Sequence, residues 1–159
     1  MGGKQSAGLI LYRRNQGTWQ VFVVHLGGPY WKAKNLGAWS IPKGEFEPSE
    51  DLLEAARREF TEETGLPIDG TFMPLSPIRQ PGGKTVHAWA VEGDCDPAAT
   101  RSNTFSMEWP PRSGRQREFP EIDRGEWFGL EEAEGRISKG QRGFLDQLRA
   151  LLGDAPGPY

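Results

Sequence analysis

Apolar, β-branched and aromatic residues dominate Ala7–Arg13 and Trp19–His25, and polar Arg14-Asn15-Gln16-Gly17-Thr18 separates them. This pattern predicts a β-hairpin. Gly27-Gly28-Pro29 ends the second strand, and Tyr30–Leu36 reads as loop. Ala38–Ile41 is a short extended run into Pro42-Lys43-Gly44. Further on, Thr71–Ile78 has strand character broken by Pro74 and Pro77. Lys84–Val91 alternates as a strand does, with Gly82-Gly83 as the turn before it. Phe105–Trp109 and Glu126–Phe128 predict two more short strands. Asp94–Thr104 and Pro110–Gly114 are turn-rich. Leu130–Ile137 and Gln141–Leu152 read as helices. Strands, then a helix, more strands and C-terminal helices predict an α/β domain with a mixed sheet covered on both faces.

The first helix is the most informative segment. Ser49–Thr64 holds no Pro or Gly, and Ala, Leu, Glu and Arg dominate it. Pro48 suits a first helical turn. Gly65 and Pro67 supply the stop. At about 100° per residue, Leu53, Ala56 and Phe60 share one face. Glu59, Glu62 and Glu63 share the adjoining face through i,i+3 and i,i+4 spacing. Between Glu45 and Glu63 stand eight acidic residues and only two basic ones, Arg57 and Arg58. Like charges at those spacings destabilise a helix by roughly 0.2–0.5 kcal/mol per pair. One account is a solvated acidic face with a Glu54–Arg58 pair, as most charge runs are. The other is a carboxylate set relieved by a divalent cation, and all-oxygen ligands suit Mg²⁺ or Mn²⁺.

The spacing of Gly44, Glu50, Arg58, Glu59, Glu62, Glu63 and Gly65, with apolar Phe60 and Leu66, favours the second account. It resembles the Nudix box, Gly-x5-Glu-x7-Arg-Glu-U-x-Glu-Glu-x-Gly-U, where U is bulky and apolar. The resemblance implies the Nudix α/β/α sandwich with a loop–helix–loop metal site. It also implies water attack on the phosphorus of a nucleoside diphosphate linked to another group. Glu59, Glu62 and Glu63 would hold Mg²⁺ or Mn²⁺, joined by the Gly44 carbonyl. Glu50 and Arg58 would brace the loop to the helix.

Composition narrows the setting. A chain of 159 residues is one domain by the usual prior, here 1–159 with 1–5 and 153–159 as frayed termini. A net charge of −3 does not suggest nonspecific nucleic-acid binding. The single Cys95 excludes an intrachain disulfide. His25 and His87 read as strand residues rather than catalysts. No apolar run approaches the roughly 20 residues of a membrane helix, and no secretory signal is visible. The expectation is a cytoplasmic protein with no membrane partner.

Residues outside the box bear on the substrate. Trp39-Ser40-Ile41-Pro42-Lys43-Gly44 resembles the W-x-x-P-K-G segment of diadenosine tetraphosphate hydrolases, which would put Lys43 on a phosphate; otherwise it is a surface Lys in a turn. Gly27-Gly28-Pro29-Tyr30-Trp31, Gly37-Ala38-Trp39-Ser40-Ile41-Pro42-Lys43-Gly44, Arg101-Ser102-Asn103-Thr104-Phe105 and Lys139-Gly140-Gln141-Arg142 resemble a bacterial group of predicted Nudix nucleoside triphosphate pyrophosphohydrolases, a resemblance over most of the chain. Tyr30 and Trp31 either stack on a nucleobase or cap the core. The segment Arg101–Arg117 carries Arg101, Arg112, Arg115 and Arg117 without a Lys. These arginines either fork onto phosphates or pair with Glu108 and Glu118. Trp127 looks like the late tryptophan of Nudix sequences. The Glu six residues before it in diadenosine tetraphosphate hydrolases corresponds to Glu121, a metal ligand or general base, with Glu118 and Asp123 as local rivals. The expected activity is cleavage of a phosphoanhydride in a dinucleoside polyphosphate or nucleoside triphosphate. The alternatives are RNA 5′-end pyrophosphate removal and a non-catalytic nucleotide-sensing domain.

Overall fold

The computed structural model describes residues 4–153. The hairpin forms as expected, from β1 (Gln5–Asn15) and β2 (Thr18–Leu26), in antiparallel register with Tyr12 opposite Val21. Two short strands follow, β3 (Trp39–Ser40) and β4 (Lys43–Glu45), then helix α1 (Leu52–Thr64). Strands β5 (Phe72–Pro74), β6 (Ile78–Arg79) and β7 (Thr85–Glu92) come next. A second hairpin, β8 (Thr104–Glu108) and β9 (Gln116–Pro120), stands as its own two-stranded sheet. Strand β10 (Ile122–Gly129) returns to the main sheet, and α2 (Leu130–Arg136) and α3 (Arg142–Leu152) end the fold.

The main sheet runs β10-β2-β1-β7-β5. It is mixed, because β1 and β7 are parallel while the other pairs are antiparallel. Side chains on a strand alternate between faces, and here both faces are apolar. Leu9, Leu11, Phe22 and Val24 pack with Ala55, Ala56 and Phe60 of α1. Ile10, Tyr12, Val21 and Val23 pack with Ala133 of α2 and Phe144, Leu145 and Leu148 of α3. The near-continuous apolar runs in β1 and β2 therefore reflect a central hairpin buried on both sides.

Three expectations are corrected. The helix starts at Leu52, not near Pro48. Asp51 is the N-cap, its carboxylate accepting the Glu54 amide at 3.2 Å, while Glu50 accepts the Glu47 amide at 3.0 Å in the preceding loop. Strand β9 was not foreseen, since Gln116-Arg117-Glu118 is exposed and polar. Gln5 lies in β1, and Lys4 accepts the Thr85 amide at 2.9 Å, so neither is frayed; Gly153 caps α3 with φ 70°. The remaining residues expected to be frayed, 1–3 and 154–159, lie outside the described residues.

Candidate active site

Gly44 and α1 are fitted to one another. Strand β4 pairs with β1, placing Ala7 opposite Gly44 and Gly8 opposite Lys43. A buried Gln141 fixes the approach to it by accepting the Ile41 amide at 2.9 Å and donating to Ser40 Oγ at 3.0 Å. The Glu59 carboxylate lies directly against Gly44; a Cβ there would come within 1.9 Å of Glu59 Oε2. Glycine is needed because the carboxylate fills the space of a side chain. At the other end of α1, Gly65 takes φ 71° and its N–H bonds Thr61 O at 2.7 Å.

Arg58 gathers the carboxylates. It donates from Nε to Glu50 Oε2 at 3.0 Å and from Nη2 to Glu50 Oε1 at 2.9 Å. Its Nη1 donates to Glu59 at 2.9 Å and Glu62 at 3.0 Å. The bidentate pair ties the loop to the helix and holds the Glu50 carboxyl below its ordinary range. The Glu54–Arg58 pair of a bland acidic face is absent among the described residues; Glu54 faces Arg57 at 3.7 Å.

Glu63 is the most perturbed acid. Burial pushes its pKa up to about 8, against the opposing pull of the Lys43 amide, which donates to it at 3.1 Å, and of the Lys43 charge. Burial also raises Glu59, with Glu62 and Glu121 adding repulsion that the Arg58 charge opposes. Glu121, in the turn between β9 and β10, adds repulsion at both Glu59 and Glu63. Its backbone is pinned there, the N–H to Asn103 O and the carbonyl to Gly27 N–H, both at 2.9 Å. The rivals are engaged elsewhere: Glu118 accepts Thr104 Oγ1 at 2.9 Å, and Asp123 meets buried His25 Nδ1 at 2.9 Å.

Among the described residues, no three His, Cys, Asp or Glu side chains converge as a ready-made metal cage. Arg58 is the cation that meets Glu59 and Glu62 in this structure. The donor set still suits a hard divalent cation. Carboxylates that are partly buried and mutually repelling are stabilised by positive charge beside them, and oxygen donors match Mg²⁺ or Mn²⁺.

A sequence model described as the NUDIX domain matches residues 3–148. The chain belongs to the NUDIX family. The NUDIX fold extends to solved structures: an Ap4A hydrolase from C. elegans, in a binary complex, matches with TM-score 0.66 and 21% identity, over 96% of this chain and 100% of that one. The NUDIX domain of Shewanella oneidensis NrtR, complexed with ADP ribose, matches with TM-score 0.64 and 13% identity, over 96% of this chain and 90% of that one. At such identities the likeness concerns the fold. A curated relative, an RNA pyrophosphohydrolase of Erythrobacter litoralis (strain HTCC2594), is 54% identical over 37 residues, which is 23% of each chain. The match thus spans about a quarter of that relative's length.

Around the NUDIX helix, the remaining expected residues separate into groups. Lys43 lies beside Glu63 and also beside Lys84, which sequence reading missed; burial, then the neighbouring Lys84 charge, lowers its pKa. Lys84 immediately precedes β7, and the Thr85 amide bonds Lys4 O next to β1. This pairing, together with that of β4 on β1, brings the two lysines together. Arg101 is turned to its own loop: its guanidinium donates to the carbonyls of Ala98 and Thr100, and its backbone N–H to Thr64 O at the end of α1. Arg112 and Arg115 lie in the exposed connection between β8 and β9, where Glu108 binds backbone amides rather than a guanidinium. Tyr30 is exposed and packs edge-on against Trp109 at 5.3 Å; Trp31 lies under Lys34 Nζ at 5.2 Å. Neither caps the core. No helix among the described residues is long and apolar enough to cross a membrane.

Proposed function

We propose that this NUDIX protein is a Mg²⁺- or Mn²⁺-dependent pyrophosphohydrolase of nucleotides with a polyphosphate chain, such as dinucleoside polyphosphates or nucleoside triphosphates. The observation that supports it is that Arg58 draws Glu50, Glu59 and Glu62 together, while Glu59 lies against Gly44 and Glu63 accepts the Lys43 amide, with Glu121 adding charge from another loop. Glu59, Glu62, Glu63, the Gly44 carbonyl and Glu121 would hold the metal. When bound, the metal supplies charge screening for the phosphates and acidifies the attacking water. Arg58 and Glu50 keep the loop and helix in register. Glu121, if not a ligand, takes the proton of the attacking water. Lys43 and Lys84 receive phosphate oxygens beside the carboxylates, giving two cationic contacts where a nucleotide carries its charge. Arg101, with its Nη1 turned to the Ala98 and Thr100 carbonyls, drops out of this role, and Arg112 and Arg115 would serve only a long polyphosphate.

The test compares kcat/KM for diadenosine tetraphosphate, a nucleoside triphosphate and ADP-ribose at equal Mg²⁺. The polyphosphates should be preferred. A clear preference for ADP-ribose overturns the substrate class. The 37-residue likeness to an RNA pyrophosphohydrolase favours one second reading, so RNA with a 5′-triphosphate belongs in the same comparison. Cytoplasmic location remains part of this reading.

A further inference from the structure

A cleft of about 510 Å³ lies between the loop after β2 and the β8–β9 hairpin. Its walls include Gly28, Lys32, Trp109, Arg117, Phe119 and Pro120. This size falls in the range of small-molecule sites, which are mainly apolar with a few placed polar groups. The hairpin is fixed by close packing. A Cβ on Gly27 would meet Pro120 O at 2.0 Å, and one on Gly28 would meet the Phe105 ring at 2.9 Å. Tyr30 meets Trp109 at 82°, steadying the indole from the loop side.

Two cations sit in this aromatic setting. Arg117 lies 5.7 Å from the Phe119 ring centre, and neither Arg117 nor Lys32 has an acidic partner among the described ion pairs. The one wall acid, Asp123, is held by His25 at 2.9 Å. The cleft also adjoins the chemistry. Pro120 lines it, and the next residue, Glu121, acts on Glu59 and Glu63. Adjacent Cα atoms are about 3.8 Å apart, so the cleft wall and the Glu121 backbone are neighbours.

We infer that this cleft is the specificity site for a nucleoside phosphate, with the base stacked on Trp109 or Phe119 and phosphate oxygens on Lys32 and Arg117. Aromatic faces accept any base, and a guanidinium forks onto phosphate. This assignment rests on the proposed nucleotide substrate. It moves base recognition away from exposed Trp31 and onto a hairpin whose second strand the sequence does not announce.

The four common ribonucleoside 5′-monophosphates and base-less ribose 5-phosphate are titrated calorimetrically into wild type, Trp109→Ala, Phe119→Ala, Arg117→Ala and Trp109→Phe. KM and kcat for diadenosine tetraphosphate are measured alongside. At least one monophosphate should bind more tightly than ribose 5-phosphate. Trp109→Ala or Phe119→Ala should weaken it roughly 5- to 150-fold, the loss of one stacked base, without changing ribose 5-phosphate binding. Arg117→Ala should weaken both ligands, and Trp109→Phe should restore any loss caused by Trp109→Ala. KM should rise in the alanine variants while kcat holds. The inference is overturned if both aromatic alanine variants, shown folded by circular dichroism, bind like wild type, or if no base adds affinity over ribose 5-phosphate. Base-dependent binding without tetraphosphate cleavage would keep the cleft and remove the proposed substrate. Cleavage with unchanged KM in every variant would do the reverse.

Discussion

Gly44→Ala separates the fit of the metal-site helix from the stability of the fold. The added Cβ would lie 1.9 Å from Glu59 Oε2 and 2.2 Å from its Cδ. Ordinary contact begins at 3.4 Å, so the carboxylate must retreat by about 1.5 Å. Nothing else forces the backbone to change, since Gly44 is not among the positive-φ residues. The obstruction is the end of a flexible side chain, and an off-rotamer Glu costs about 0.5–1.5 kcal/mol. Lower unfolded-state entropy offsets about 0.4–1 kcal/mol of that. A net change within ~1 kcal/mol moves Tm by roughly 2–4 °C in a chain of this size. Activity should suffer far more, because a misplacement of about 1 Å can cost 10²-fold. Thermal melts and Mg²⁺-dependent kcat on diadenosine tetraphosphate measure the two effects. Two controls bracket the variant. Gly135→Ala meets nothing within 4 Å and should leave kcat alone, whereas Gly8→Ala meets backbone Pro42 O at 2.6 Å and should destabilise the fold. Near-wild-type kcat in Gly44→Ala would refute the need for Glu59 in its present position.

Glu62→Gln and Glu63→Gln should lose most metal-dependent activity while remaining folded, because each removes charge from the set proposed to hold the cation; full activity of both at low Mg²⁺ would contradict their assigned role. Glu121→Gln should reduce kcat by about 10²–10⁴ if Glu121 is the general base, whereas Glu118→Gln should change little; the opposite ranking would reverse the assignment of that loop. The raised Glu63 pKa of about 8 has a stability consequence of definite sign. The unfolded carboxyl, near 4.5, loses its proton first, so the contribution is whole below pH 4.5 and lost as pH rises through 8. Without added metal, Tm should therefore fall more steeply from pH 5 to 8.5 in wild type than in Glu63→Gln, and Mg²⁺ should restore part of it; equal slopes would contradict the burial of that charge.

The central elements were legible because each carries a local signal. Strands β1 and β2 announce themselves by apolar runs, and α1 by composition and its Gly65 stop. The box residues stand at fixed spacing on one helix and its preceding loop, so sequence distance translates directly into shared space. The offset from Trp127 points to Glu121, whose charge reaches Glu59 and Glu63. Legibility failed where proximity comes from sheet order. Lys84 is 41 positions from Lys43 in the chain and meets it only because β4 and β7 both pair with β1. Strand β9 escaped notice because its polar residues face solvent on a two-stranded sheet, without the alternation that burial imposes. The arginines of that region looked alike in sequence. Their backbone settings distinguish Arg101, occupied by its own loop, from Arg117, which faces the cleft.

The most direct test of the proposed chemistry is hydrolysis in heavy-oxygen water with Mg²⁺ or Mn²⁺. Purified protein is incubated with diadenosine tetraphosphate and nucleoside triphosphates, with a chelator control, and the products are resolved by mass spectrometry. The expected result is metal-dependent cleavage of a phosphoanhydride with the heavy oxygen on a product phosphate, abolished by chelation. Cleavage that persists in chelator, or products carrying the label only on carbon, would contradict metal-assisted water attack on phosphorus.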